Sequence, residues 1–249
     1  MLEGKLSDII GAASGKVQKM IELKGISKTY FKGRQNQVNA LTDIDLTIEE
    51  KQMTAVIGPS GAGKSTLLHI LALLETPDAG SYKVDGEDVT GLKDGKAARF
   101  RNKKIAYVMQ NDGLIGRLTA FENAALPLTI AGERRGEIKE RVNDALTLVG
   151  LEKRIRTKTE YLSGGEAQRV AIARAVASGA DIILADEPTG AVDTANSEKI
   201  VELFRELNNR GKTVIIVTHN RDVAAACDRV VEIVDGRIAD PLAKGAEIH

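Results

Sequence analysis

The sequence predicts an α/β fold built on a parallel sheet, and three observations carry that prediction. Four short, mostly apolar runs, 54–57, 105–109, 182–185 and 213–217, lack polar alternation, as strands buried on both faces must. Helical stretches lie between them, notably 64–74, 166–177 and 196–208. A glycine-rich turn separates the first of these strands from the first of these helices.

Composition bounds what such a fold can do. Thirty-five Lys plus Arg balance thirty-five Asp plus Glu, for a net charge of zero, so the chain lacks the basic excess of a nucleic-acid binder. Cys227 is the lone cysteine, which excludes an internal disulfide framework and fits a reducing compartment. The longest stretch free of Asp, Glu, Lys and Arg is 52–63, well short of the roughly 20 residues a spanning helix needs. Nothing near the first residue reads as a signal peptide, because Glu3, Lys5 and Asp8 interrupt the apolar run.

Residues 1–19 read as a separate extension. Leu2, Leu6, Ile9, Ala13, Val17 and Met20 recur at three- and four-residue steps, the period of an amphipathic helix. Gly4, Gly11 and Gly15 weaken it, each by up to about 1 kcal/mol against Ala. The segment is either a loose tail, with Met20 as the true start, or a helix on a membrane surface or partner with Lys5, Lys16 and Lys19 at its polar edge. From Met20 onward one domain is expected. It opens on strand candidates at 21–23, 38–48 and 81–84, bounded by Gly- and Asp-containing turns. The charge-dense stretch 132–161 is helical in character, and its charges read as a solvated face.

The turn Gly58-Pro59-Ser60-Gly61-Ala62-Gly63-Lys64-Ser65 matches G-x-x-x-x-G-K-[ST] in the strand-then-helix context that gives the motif meaning. Its glycines let backbone N–H groups close around phosphate oxygens, and the helix behind adds the positive end of its dipole. Lys64 is expected to reach the β- and γ-phosphates, and the Ser65 hydroxyl to ligate Mg²⁺. A chance match to this pattern has odds of about one or two in a hundred.

The run 182–185 ends in Asp186-Glu187. Two carboxylates at a buried strand's end are costly unless used, and ligands of open α/β sheets bind at that edge. Asp186 suits an outer-shell Mg²⁺ ligand, and Glu187 a general base for an attacking water. The run 213–217 is followed by Thr218 and His219, a position that favours a structural histidine unless its neighbours say otherwise. His69, inside the first helix, and His249, the last residue, receive no role.

Leu162-Ser163-Gly164-Gly165-Glu166-Ala167-Gln168 introduces a helix, with Ser163 as N-cap and Glu166 three residues on, a capping box. This stretch, continued to Ala175, resembles the signature motif of ATP-binding cassette (ABC) transporter ATPases. The resemblance extends over nearly all of 20–249. It implies a P-loop ATPase with a RecA-like core, an antiparallel β subdomain and a helical subdomain at about 112–175. It further implies that Tyr30 stacks on adenine and that residues 58–66, Thr66 included, bind ATP. Gln110 then resembles the Q-loop glutamine, which contacts Mg²⁺ or the lytic water. Asp193 resembles the D-loop aspartate, and His219 the histidine that steadies the γ-phosphate. Ser163, Gly164, Gly165 and Glu166 would serve the nucleotide of a second copy. The flavour is that of lipoprotein-release, macrolide-export and antimicrobial-peptide-export ATPases, from 67–80, 118–123 and 185–190. Gly116, in the segment expected to meet a membrane partner, and the lack of proline in 158–161, upstream of the signature, depart from that pattern.

The implied activity is Mg²⁺-dependent ATP hydrolysis by a homodimer on the cytoplasmic face of the membrane. A separate permease would dock near Gln110–Glu122. A regulatory ATPase of the cell-division type, signalling without transport, uses the same motifs. No nucleic-acid partner is expected, because one cassette, neutral charge and about a hundred residues between Lys64 and Ser163 leave no long coiled-coil insertion.

Overall fold

The computed structural model describes residues 18–110, 113–190 and 192–239. The strands are β1 (Lys19–Tyr30), β2 (Val38–Glu49), β3 (Met53–Ile57), β4 (Ala79–Val84), β5 (Glu87–Asp88), β6 (Ile105–Val108), β7 (Ile182–Asp186), β8 (Thr213–Val217), β9 (Arg229–Val234) and β10 (Arg237–Ile238). They form two sheets, an antiparallel one ordered β2-β1-β4-β5 and a six-stranded one ordered β10-β9-β3-β8-β7-β6. In the second, all pairings are parallel except β9 with β10. The predicted parallel sheet is therefore present, with four of its strands at the four apolar runs.

Alternation explains why those runs are apolar throughout. On β8, Val214 and Ile216 face one core while Ile215 and Val217 face the other; on β7, Ile183 and Ala185 oppose Ile182 and Leu184 in the same way. Each such Ile or Val contributes about 2 kcal/mol by its burial, so neither face tolerates a polar residue. One core lies between the two sheets and takes in Leu67, Leu68, Ile70 and Leu71 of α1 (Lys64–Leu71). The other lies beneath α3 (Ala120–Ala131), α4 (Arg135–Leu148), α5 (Gly164–Ser178) and α6 (Thr194–Asn209), and the first three of these pack on one another. Two further α-helices, α2 (Asp94–Lys104) and α7 (Arg221–Ala225), and a short 3-10 helix at Thr159–Tyr161 complete the set among the described residues.

Several boundaries differ from the sequence expectation. The first strand runs well past 21–23, because a register shift between Leu23 and Ile26 carries the chain through Gly25, whose N–H donates to Asp45 Oδ1. Helix α1 stops at Leu71 rather than 74. Leu73 is left-handed (φ 54°), the N–H groups of Leu74 and Glu75 turn back to the His69 carbonyl, and the Tyr82 hydroxyl donates to the carbonyl of Leu71. Of the expected extension, residues 1–17 lie outside the described residues. Lys19 and Met20, the last positions of its helical period, stand in β1, where Met20 is buried.

Candidate active site

The site-forming loops leave the C-terminal edge of neighbouring strands. Val56 of β3 is level with Val217 of β8, and Val217 with Asp186 of β7, so the 58–63 loop, His219 and Asp186-Glu187 emerge side by side. Strand β6 pairs alongside β7 and delivers Gln110, whose Nε2 lies 3.7 Å from where a Cβ on Gly190 would stand.

The 58–63 loop is shaped by the scaffold around it. Gly58 (φ 150°) and Gly63 (φ 103°) leave no room for a side chain. A Cβ would fall 2.1 Å from the Ile233 carbonyl oxygen at Gly58 and 2.3 Å from that of Ala40 at Gly63. Gly61, at the apex, needs its left-handed φ of 78° but faces open space. Both outer glycines are thus required by the packing of β9 and β2 against the loop. Lys64 Nζ donates to the carbonyls of Gly58 (2.8 Å) and Pro59 (2.9 Å), which holds the ammonium over the loop. Gly63 caps α1 without a side-chain bond, and no acidic residue occupies the first turn around Ser65 and Thr66, so its amides are open to an anion. A cleft of about 210 Å³ between Gly58, Pro59 and His219 adjoins the loop.

The two carboxylates have different environments. Burial pushes the Asp186 carboxyl above the usual range, and the charge of Glu187 adds to this. The Tyr107 hydroxyl, 3.4 Å from Oδ2, and the nearby His69 and Lys64 pull the other way. Tyr107 is itself held protonated, by burial first and then by Asp186. His69, left without a role by the sequence, lies against Tyr107 with ring centroids 6.3 Å apart. Glu187 is left-handed (φ 44°), a conformation a side chain adopts at a cost and which strand-end bonds enforce. Its N–H donates to the Val217 carbonyl and its carbonyl accepts from Gly190 N–H. The turn sends its carboxylate to His219, whose Nδ1 is 2.8 Å from Oε1. Glu187 is mostly buried there, and the His219 side chain is 73% exposed.

The signature turn forms the predicted capping box. The Ser163 hydroxyl accepts from Glu166 N–H, and Glu166 Oε2 accepts from Ser163 N–H at 3.0 Å. That N–H, ahead of the Ser163 hydroxyl and the Arg154 guanidinium, holds the Glu166 carboxyl low. Gly164 is exposed and Gly165 buried. Asp193 caps α6 by accepting from Asn196 N–H. Among the described residues, no hydrogen bond or ion pair joins Ser163–Glu166 or Asp193 to the 58–63 loop. Tyr30 ends β1 on the antiparallel sheet, with Lys28 Nζ 5.5 Å from its ring centroid.

Four residues with parts in this architecture escaped the sequence reading. They are Tyr107 on Asp186, Arg154 on Glu166, Asn196 on Asp193, and Asn123, fully buried, whose amide holds the 115–119 turn through Ile115, Leu118 and Thr119. Only Asn196 had a readable signal, since it stands three residues after an N-cap aspartate.

A profile of the ABC transporter family matches residues 41–190. The macrolide export ATP-binding/permease protein MacB of Mannheimia succiniciproducens is 42% identical over 90% of this chain, which spans only about a third (35%) of that relative's length. An uncharacterized ABC transporter ATP-binding protein of Thermotoga maritima is 46% identical over 89% of this chain and 94% of its own. Among solved structures, the dimeric post-hydrolysis state of an ATP-binding cassette bound to ADP and Pi superposes with a TM-score of 0.81. It is 39% identical and covers 89% of this chain and 97% of that one. The profile match takes in the phosphate loop, the signature helix and the paired carboxylates, and on these grounds the chain belongs to the ABC transporter family, as one of its ATP-binding cassettes.

Proposed function

We propose that this chain is a Mg²⁺-dependent ATPase that closes as a homodimer around ATP and powers a separate membrane permease at the cytoplasmic face. The 2.8 Å contact between Glu187 and His219, beside a preformed phosphate loop, carries this reading. Glu187 Oε1 accepts a hydrogen bond from His219 Nδ1–H, which orients the carboxylate and leaves it ionised. Its other oxygen takes the proton of a water whose oxygen attacks the γ-phosphorus as the bond to ADP breaks. In its imidazolium form, where both ring nitrogens are donors, the exposed His219 also donates from Nε2–H to a γ-phosphate oxygen. Lys64 and the loop amides hold the β- and γ-phosphates, and Tyr30 stacks on adenine.

No three His, Cys, Asp or Glu side chains cluster as a metal cage among the described residues. Asp186, with Ser65 and Gln110, offers hard oxygen donors, which suits Mg²⁺, an ion that completes its shell with phosphates and water. When bound, the ion neutralises phosphate charge. Ser163, Gly164, Gly165 and Glu166 and the D-loop Asp193 complete the site of the second copy, in keeping with the lack, among the described residues, of any hydrogen bond or ion pair from them to their own loop. Residues around 112–175 serve as the helical subdomain that meets the permease. The macrolide-export relatives carry ATP-binding and permease parts in one protein, and a peptide, lipoprotein or drug-like cargo fits that kinship.

The test is Glu187→Gln. Phosphate release by the purified chain is expected to fall by about 100-fold or more, with ATP affinity within a few-fold of the parent and an ATP-bound dimer accumulating on a sizing column. Unchanged turnover would remove Glu187 as the base.

A further inference from the structure

The two glycines of the signature turn have separate reasons to be glycine. Gly164 is exposed, whereas Gly165 is buried, and the three atoms nearest to where its Cβ would stand all belong to Asn196. A Cβ at Gly165 would stand 2.9 Å from Asn196 Cγ, 3.1 Å from Oδ1 and 3.2 Å from Nδ2, inside contact distance of all three atoms. The same amide is bound at both ends. Nδ2 donates to Asp193 Oδ1 (3.1 Å) and Oδ2 (2.9 Å), and Oδ1 accepts from Arg169 on α5 (3.3 Å). The Asn196 N–H adds a third bond to Asp193 Oδ1 at 2.8 Å. Both Asp193 oxygens are therefore oriented by one residue, and that residue lies flat on the first turn of α5.

We infer that Asn196 is a positioning residue that clasps the Asp193 loop to the signature turn, so that the two elements meant for the second copy's nucleotide move as one body. Gly165 is glycine to admit this clasp, whereas Gly164 is exposed. The inference rests on the proposed completion of the site by a second copy, and it adds a residue to which nothing in the motif reading assigns a part. An amide suits the position because it donates to a carboxylate with one end and accepts from a guanidinium with the other. Aspartate would turn an acceptor toward two carboxylate oxygens, and alanine would leave Asp193 held by backbone alone.

The experiment uses the full chain carrying Glu187→Gln, with Asn196→Ala, Asn196→Asp, Gly165→Ala and the Gly165→Ala, Asn196→Ala double variant. It reads the ATP concentration for half-maximal dimer formation by sedimentation, fluorescent ADP binding to the monomer, and the thermal midpoint. Asn196→Ala is expected to raise the half-maximal ATP concentration several-fold, and Asn196→Asp further, with monomer ADP affinity unchanged. Gly165→Ala is expected to lose more than tenfold in dimer formation and to lower the midpoint. The double variant should recover both to the level of Asn196→Ala. A double variant as defective as Gly165→Ala, or an Asn196→Ala variant that dimerises like its parent, would overturn the clasp. If the Glu187→Gln parent itself forms no ATP-dependent dimer, the underlying reading fails, and the role of Asn196 toward a second copy fails with it. In that case recovery of the midpoint in the double variant still separates a real contact from a misplaced one.

Discussion

Asp186 shows how a functional residue burdens the fold that holds it. Burial raises its pKa, so at neutral pH the ionised carboxyl costs stability, a cost relieved only when pH falls through the raised value or a cation arrives. Asp186→Asn is therefore expected to raise the thermal midpoint of the nucleotide-free chain at neutral pH while weakening Mg²⁺ affinity by about 10- to 100-fold. Calorimetry with and without metal checks both, and a lowered midpoint would count against it. Gln168, 4% exposed, also burdens the fold, since its Nε2 has no hydrogen-bond partner among the described residues. At this scale the sequence was most legible where chemistry demands a particular residue type at a set spacing, as at Lys64, Asp186, Glu187 and Ser163. It was silent on Tyr107 and Asn123, whose roles come from strand pairing and packing and leave no local pattern.

Capping separates structure from function among the elements. Helices α3 and α5 begin with the same device, Thr119 with Glu122 and Ser163 with Glu166. Replacing either hydroxyl residue by alanine is expected to cost about 1 kcal/mol of stability, a fall of about 2–4 °C in the thermal midpoint for a chain of this size. Only Ser163→Ala should also lower turnover, because only that turn is assigned to a nucleotide; equal loss of turnover in both variants would refute the distinction. The buried strands were readable because both faces are apolar, and the signature helix because its cap is explicit. Strand β9 was overlooked for the opposite reason. Val231 and Ile233 face the core while Glu232 and Val234 face out, a pattern with no continuous run to flag it.

Across the whole molecule, stability at low pH should follow carboxylates that bind the fold together. Asp228 is pushed up by burial, but the Met53 N–H and the Arg205 guanidinium outweigh this and hold it low. Glu166, Glu122 and Asp78 are also held low, each chiefly by a backbone N–H. Groups lowered in the folded state stabilise it fully above their unfolded values, near 4, and lose that contribution as pH falls through the folded ones. The urea midpoint is thus expected to fall steeply below about pH 4, and by less in Arg205→Ala, where one of these shifts is reduced. A flat profile would contradict it. At this scale the sequence foresaw the parallel sheet and the separate β-rich segments. It did not show that the two meet at the phosphate loop, where Gly236 donates to the Ala62 carbonyl and accepts from Thr42.

That meeting has a kinetic consequence. With Gly58 pressed on Ile233 and Gly63 on Ala40, the loop has the curvature of its neighbours before any ligand arrives. Ordering a free six-residue loop would cost about 1–2 kcal/mol per residue at the moment of capture; here folding has already met that cost. Nucleotide association should then be a single step, its observed rate rising linearly with concentration in stopped-flow mixing, with no plateau from a slow closing of the loop.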